Sequence, residues 1–496
     1  MKSSTFLLKK SFAAAALALS LVGLCSCQKK NKPSFIILAV DRLSFNSFSC
    51  SDEKSSEQSG LAALCQESIR YTNAYTTSTQ PAAALGSFLS GTYPYKNSLH
   101  RSHDRINADL PLIPEFFKRA GYRTSFWSGS PSILKKTGLA RGFDFFDDSS
   151  FLSVVNFTTS FTEQVKLFSN WAEESDDPFM SVIYNSEMES FTEDNAARTE
   201  SFDEKLGHFI QDMKARNIWE KNYFIVMGLQ GSSEYSRTDE NSFSNLHTEN
   251  INVAFFIKPP RQKGDEGINL KVDSPSTLAD FGYSLMRMID PSFQRTADPH
   301  FTIWDYSTLW SKSQLSGTTP PFNRRLIVES PDTWNKDLSL KFATLSGNYI
   351  FIEGSEPGLY NRLNDGLETI NLAKSSPEII TENTVTLEEV HRRSGSLQWA
   401  GPSEVERELA DANRKYWSTP AQRESIFENE KKRLALEKRP HPLSTLLIYF
   451  QNSRREKDSA YDEARRMSYN LALENSWGLW NWNKPWAQPG VTTENQ

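Results

Sequence analysis

Asn73-Ala74-Tyr75-Thr76-Thr77-Ser78-Thr79-Gln80-Pro81-Ala82-Ala83-Ala84-Leu85-Gly86-Ser87-Phe88-Leu89-Ser90-Gly91 is the stretch on which the fold turns. Four hydroxyl side chains run from Thr76 to Thr79, and an apolar, alanine-rich segment follows up to Gly91. Hydroxyls ahead of such a segment cap the helix or line the loop before it. Upstream, Ser34 to Val40 is a short apolar run ending at Asp41, which reads as a buried strand with a polar residue at its carboxyl end. Further strands are expected over Tyr122 to Trp127, Phe179 to Tyr184, Tyr223 to Leu229 and Asn252 to Lys258. Between them Gly60 to Ile69, Leu110 to Ala120 and Asn195 to Ala215 have helical spacing, the last through Phe202, Leu206, Phe209, Ile210 and Met213. Strands alternating with helices predict an α/β domain with a mostly parallel sheet, whose ligand sites lie at the carboxyl ends of strands. Asp41 and Leu229-Gln230 stand at such ends.

From Arg324 the texture changes. Arg325 to Glu329, Leu338 to Leu345 and Tyr349 to Glu353 read as short strands, and Pro377 to Arg392 as a helix. These predict a small antiparallel sheet with one helix. Beyond Gly401 the chain is charged and helical in pattern, over Glu404 to Tyr416, Pro420 to Lys438, Leu443 to Phe450 and Tyr461 to Asn475.

The opening stretch resembles the nucleophile segment of the sulfatase family in the alkaline phosphatase superfamily: Asn-Ala-Tyr, then Cys-x-Pro-Ser-Arg, then Ala-Ser-Leu-Leu-Thr-Gly. It aligns without a gap from Asn73 to Gly91. Pro33 to Asp41 resembles the family's opening strand, and Gly121-Tyr122-Arg123-Thr124 with Gly138 to Asp144 is a further match. Ala197 to Met213 is similar to a family helix, and Gly358 to Asn361 with Asn364 to Leu372 to its carboxyl-terminal hairpin. Shared order and spacing over roughly residues 33 to 390 imply a sulfatase-like α/β fold. In that fold a mostly parallel sheet is flanked by helices and followed by a small antiparallel subdomain. The implied boundaries are 34–320 for the α/β domain, 321–395 for the subdomain and 396–496 for a helical extension outside the resemblance.

The same alignment implies a site that has lost its chemistry. Pro81 occupies the nucleophile position and has neither hydroxyl nor thiol to activate. Leu85 stands where the family has Arg. Family members hold a hard cation, Ca2+ or another divalent ion, through carboxylate and amide oxygens. Of four ligand positions only Asp41 is unchanged: Arg42 replaces a second acid, Leu229 an Asp, and Gln230 an Asn or His. A guanidinium about 4 Å from a dication repels it by up to about 8 kcal/mol at an effective dielectric of about 20, so no metal is expected, and Arg42 is expected to be structural, pairing with Asp41. The helper positions are occupied by Met188 to Phe191, Gly129, Pro131 and Asn97. Thr79-Gln80-Pro81 also reads as Thr-x-Pro, a shifted nucleophile pattern, which loses the basic neighbour at Ala83. His100 and His103, beside Asp104, are the only close histidine pair and are expected as solvated loop residues, with a surface metal site as the alternative. His208 and His247 have no partner at ligand spacing.

The amino terminus reads as targeting sequence. Lys2, Lys9 and Lys10 precede the apolar run Phe12 to Leu24, which is short for a membrane span and suits a signal peptide. Leu24-Cys25-Ser26-Cys27 resembles a lipobox with Cys27 as the acylated residue, so 1–27 is expected to be removed or lipidated and 28–33 to serve as a linker. Ordinary secretory cleavage nearby is the alternative. The remaining Cys50 and Cys65 are expected either as a disulfide, which an oxidising periplasm permits, or as two buried thiols. Trp477, Trp480, Trp482 and Trp486 crowd the tail, suited to packing back on the fold or to a protein or glycan partner. A formal net charge of -6 gives no electrostatic reason to expect nucleic acid.

The expected function is therefore a sulfatase-like envelope lipoprotein, periplasmic or outer-membrane, inactive as a catalyst and acting in binding or structure. The alternatives are a divergent metal-dependent sulfuric or phosphoric ester hydrolase or transferase, and an assembly subunit docking through its C-terminal helices.

Overall fold

The computed structural model describes residues 32–50, 59–101, 104–130, 133, 135–147, 159–189, 195–232, 245–261, 267–311, 319–331, 340–354 and 356–395. Cys27, His103, Pro131, Phe191, the targeting segment and the whole extension with its tryptophans lie outside the described residues.

The chain opens with β1 (Phe35–Val40), α1 (Gly60–Glu67), β2 (Ile69–Tyr71) and β3 (Ala74–Tyr75). It continues through α2 (Pro81–Ser90), α3 (Pro94–Asn97), α4 (Ile113–Arg119), β4 (Arg123–Ser128) and β5 (Phe145–Asp147). Then come α5 (Phe161–Glu173), β6 (Phe179–Asn185), α6 (Asn195–Ala215), β7 (Tyr223–Gly228), α7 (Thr248–Ile251) and β8 (Phe255–Lys258). The α/β part ends with β9 (Leu270–Val272), β10 (Ser276–Thr277), α8 (Leu278–Ile289) and α9 (Ser307–Ser311). A second sheet follows from β11 (Leu326–Pro331), β12 (Leu340–Ser346), β13 (Tyr349–Ile352) and β14 (Gly358–Asn361), with α10 (Pro377–Gly395) after it.

Eight strands form the central sheet in the order β5-β4-β6-β1-β7-β8-β2-β9. Every neighbouring pair is parallel except those made by β8, which runs antiparallel to both β7 and β2. β1 lies in the middle, and its alternation divides the core. Phe35, Ile37 and Ala39 face the layer containing α2, α4 and α8, while Ile36, Leu38 and Val40 face α1, α5 and α6. Both faces are covered, which is why β1 reads as an unbroken apolar run. Phe35 stacks on Tyr223 at 4.4 Å and meets Phe117 edge-on at 4.9 Å, fixing the sheet against α4.

Local signals set the helices. Phe202, Leu206, Phe209, Ile210 and Met213 make one apolar stripe on α6 and are all buried. Ser160 caps α5 by accepting from the Glu163 amide at 3.2 Å. Thr277 and Asp280 form a reciprocal capping box on α8, with bonds of 2.7 and 3.4 Å. Pro81 opens α2 at its first turn, where its fixed φ and missing N–H cost nothing. Gly91 ends that helix in the left-handed region at φ 59°.

The second sheet is antiparallel throughout, in the order β11-β12-β13-β14. Leu326, Val328, Ala343, Leu345, Ile350 and Ile352 pack on Tyr75, Leu246 and Ile251 of the α/β domain. Alternate residues Ile327, Phe342 and Phe351 pack with Leu387 and Val390 of α10 and with Tyr93, Tyr95 and Phe301. Cys50 and Cys65 are joined by a disulfide, with Cα atoms 5.8 Å apart. Among the described residues no helix is long and apolar enough to cross a membrane.

Candidate functional site

The carboxyl ends of β1, β6 and β7 meet the loop before α2. Asp41 follows β1 directly and is fully buried. Tyr184, at the end of neighbouring β6, donates its hydroxyl to Asp41 Oδ2 at 2.5 Å. Arg42 is also buried and takes φ 55°, the left-handed region that a side chain enters only at a cost of order 1–3 kcal/mol. The turn is held from both sides. Asp41 N donates to Asn185 O at 3.0 Å and Leu229 N to Val40 O at 2.8 Å. Gly228 sits so close that an added Cβ would lie 2.1 Å from Leu43 O.

Past β7, Leu229 turns into the apolar core with no solvent exposure, and Leu85 of α2 belongs to the same cluster. Neither offers the site a polar side-chain group. Gln230 is 5% exposed, and its Oε1 has no hydrogen-bond partner among the described residues. Thr77 Oγ1 is buried and likewise without a partner there. Thr76, one residue earlier, donates to Leu229 O at 2.5 Å and Ser78 O at 2.8 Å, tying the segment before Pro81 to the loop after β7. Ser78 Oγ accepts from the Gln80 amide at 3.2 Å, and Thr79 Oγ1 lies 2.8 Å from Ser330 Oγ. The four hydroxyls thus line and brace the loop, and Gln80, the cap residue of α2, makes no side-chain cap bond.

A hard dication needs about six oxygen ligands. Asp41 gives one carboxylate already engaged by Tyr184, Leu229 gives none, and Arg42 adds a like charge. Among the described residues no group of three or more His, Cys, Asp or Glu is placed to hold a metal. This donor set does not fit the cation that the family resemblance implies.

Among the described residues, three of the helper positions, Asn97, Met188 and Gly129, are structural. Asn97 donates to Ser90 Oγ at 3.2 Å and accepts from the Leu99 amide at 2.9 Å. Met188 is in the core. Gly129 leaves no room for a side chain, since its Cβ would lie 2.7 Å from Tyr184 O.

His100 departs from expectation. It is not a solvated loop residue: it is buried, and its Nδ1 lies 2.9 and 3.0 Å from the two carboxylate oxygens of Glu329. Glu329 on β11 is itself bridged to Ser78, exchanging main-chain bonds of 3.0 Å with Thr77 and Thr79. Burial pulls the His100 imidazole down, but the Glu329 charge and hydrogen bond, with Asp104, reverse this and raise it above the usual range. His247 is also paired, 2.6 Å from Glu368. The reading of the sequence missed Tyr184 and Glu329, and gave Thr76 only as one of the hydroxyls that cap the helix or line the loop. Tyr184 alone had a signal, a polar-tipped aromatic at the carboxyl end of a strand beside β1.

The family model for sulfatases matches residues 33–184. This part of the chain is sulfatase-like. The chain is 30% identical over 94 residues to a choline-sulfatase of Rhizobium meliloti, covering 19% of this chain and 18% of the relative. It is 24% identical over 110 residues to an N-acetylglucosamine-6-O-sulfatase of Bacteroides thetaiotaomicron, covering 22% and 20%. The match thus spans about a fifth of these relatives' lengths. A sulfatase-like protein of Bacteroides thetaiotaomicron of known structure superposes with TM-score 0.58 at 14% identity, covering 75% of this chain and 96% of that one. At that identity the likeness speaks to fold, and the mostly parallel sheet with its small antiparallel companion is the sulfatase architecture.

Proposed function

We propose that this sulfatase-family protein is a catalytically disabled, lipid-anchored component of the bacterial cell envelope that binds rather than hydrolyses. One observation carries the reading: Pro81 begins a helix where a nucleophile would stand, while Leu229 is committed to the core where a metal ligand would stand. Restoring either role needs a change of both side chain and environment. The unsatisfied Gln230 Oε1 and Thr77 Oγ1, with Arg42 two residues past β1, the strand paired with β7, support a retained role in holding a polar, sugar-like or anionic group without a metal. The glycan ester that one relative's name denotes is consistent with that class. Cys27 as the lipidated residue supplies the anchor, and no nucleic-acid role is proposed.

Metal analysis of the mature protein at saturating calcium, magnesium and zinc tests the proposal. A metal content well below one ion per chain and no turnover of aryl sulfates or phosphates are expected. Roughly one tightly held divalent ion per chain together with turnover would replace it with the divergent-hydrolase reading.

A further inference from the structure

Five histidines lie among the described residues, and four of them contact a glutamate. Three of these pairs share one geometry. His100, His247 and His300 belong to the α/β domain, and their partners Glu329, Glu368 and Glu389 belong to the C-terminal subdomain. The contacts are 2.9, 2.6 and 2.8 Å and reach β11, the turn after β14 and α10 respectively. They therefore engage three separate elements of the subdomain. The fourth pair, His391 with Glu353, is internal to the subdomain.

We infer that these three imidazole–carboxylate pairs form a proton-dependent latch, which holds the C-terminal subdomain against the α/β domain and loosens as the histidines lose their charge. An imidazole changes charge near neutral pH, and with that charge goes the Coulombic part of its pairing with a carboxylate, while a ring N–H can still donate to it. Around His100 stand Glu329, Asp104 and the opposing Arg101. Around His247 stand Glu368 and the ring of Tyr360, with Glu249 on the adjoining α7. Around His300 stand Glu389, Asp298 and the opposing Arg393, which bonds to both acids.

The sign follows from His100. Its folded value is raised, so its contribution is complete below about pH 6.5 and is lost as pH climbs through the raised value. Loss at this pair reaches the candidate site directly, because Glu329 carries the main-chain bonds to Thr77 and Thr79. This inference does not depend on whether the site is catalytic.

Hydrogen exchange of the full chain, corrected for the intrinsic pH effect, tests it. In wild-type protein, peptides from β11, β12 and α10 should exchange about tenfold faster at pH 9 than at pH 6, while peptides from β1 and β6 hold steady. The triple variant His100→Gln, His247→Gln, His300→Gln should lose that difference. Lys258, whose burial pulls its amine down to about 7, titrates in the same window. It lies on β8 of the central sheet, so any effect of its own falls outside the subdomain peptides. If the triple variant fails to fold, His300→Gln alone should reduce the response, its side chain being 29% exposed. A wild-type response equal in both regions, or one that survives the substitutions, overturns the latch.

Discussion

Thr76 Oγ1 donates to the main-chain oxygen of Leu229 at 2.5 Å, across 153 positions of sequence. One hydroxyl thereby fixes the distance between the segment entering α2 and the loop leaving β7. A second bond to Ser78 O shapes the turn itself. Thr76→Val keeps the volume and removes the one shared O–H donor, leaving two buried carbonyls short of a partner. A loss of about 1–3 kcal/mol is expected in urea unfolding, and a loss below a few tenths would show that the tie is idle.

Pro81 is expected to act through the unfolded chain. Replacing it with Ala at the first turn of α2 removes no hydrogen bond and restores conformational freedom. Denaturant midpoints should fall by the equivalent of about 0.4–1 kcal/mol. Pro81→Ser should cost a similar amount and yield no aryl sulfatase turnover, since Leu229 and Arg42 remain.

Arg324 and Asp280 make a buried pair, with Arg324 Nη2 at 2.6 and 2.8 Å from the two carboxylate oxygens and 2.8 Å from Thr302 O. Asp280 also caps α8, so the pair locks the approach to β11 onto that helix. Arg324→Ala should cost about 3–5 kcal/mol by leaving the acid uncompensated. Arg324→Lys should recover only part of it, because an ammonium cannot reproduce the fork. Full recovery in thermal melts would contradict this account.

Asp298 has a pH signature of the opposite sense to His100. Burial pushes its carboxyl up, but Lys96, the Phe301 amide and Tyr95 outweigh that and bring it down to about 2 from the ordinary 3.8. A depressed acid gives stability that is present above about pH 4 and is lost as pH falls through about 2. Asp298→Asn should flatten that acid limb and cost about 1–2 kcal/mol at neutral pH, discounted for the partly exposed Lys96. An unchanged acid limb in the variant would assign it to other carboxylates.

The disulfide between Cys50 and Cys65 closes a loop with a sequence separation of 15. Reduction should lower stability by about 3 kcal/mol in the chain-entropy account. The Cys50→Ala, Cys65→Ala variant should match the reduced wild type in urea.

Much of the fold was legible because its signals are local. β1 and α6 declare themselves through an unbroken apolar run and a stripe at helical spacing. α5 and α8 were overlooked although Ser160 with Glu163, and Thr277 with Asp280, are cap signals of the same local kind. The direction of β8 was not legible, since an apolar strand reads alike in either sense. The substitutions at Pro81, Arg42 and Leu229 could be seen by alignment, but not that Leu229 joins the core or that Tyr184 takes up Asp41. His100 was misread because its partner lies 229 residues away and only the packing of the second sheet brings them together.

Gly228 has a broader consequence. Its lack of a side chain lets Leu43 O press against β7, so the frame around the cleft is set by main-chain proximity and not by reactive groups. Such a frame is indifferent to which side chains stand around it. An engineer wishing to install a reaction here could keep that main-chain frame, but would have to rebuild the packing around Leu229 as well as its side chain.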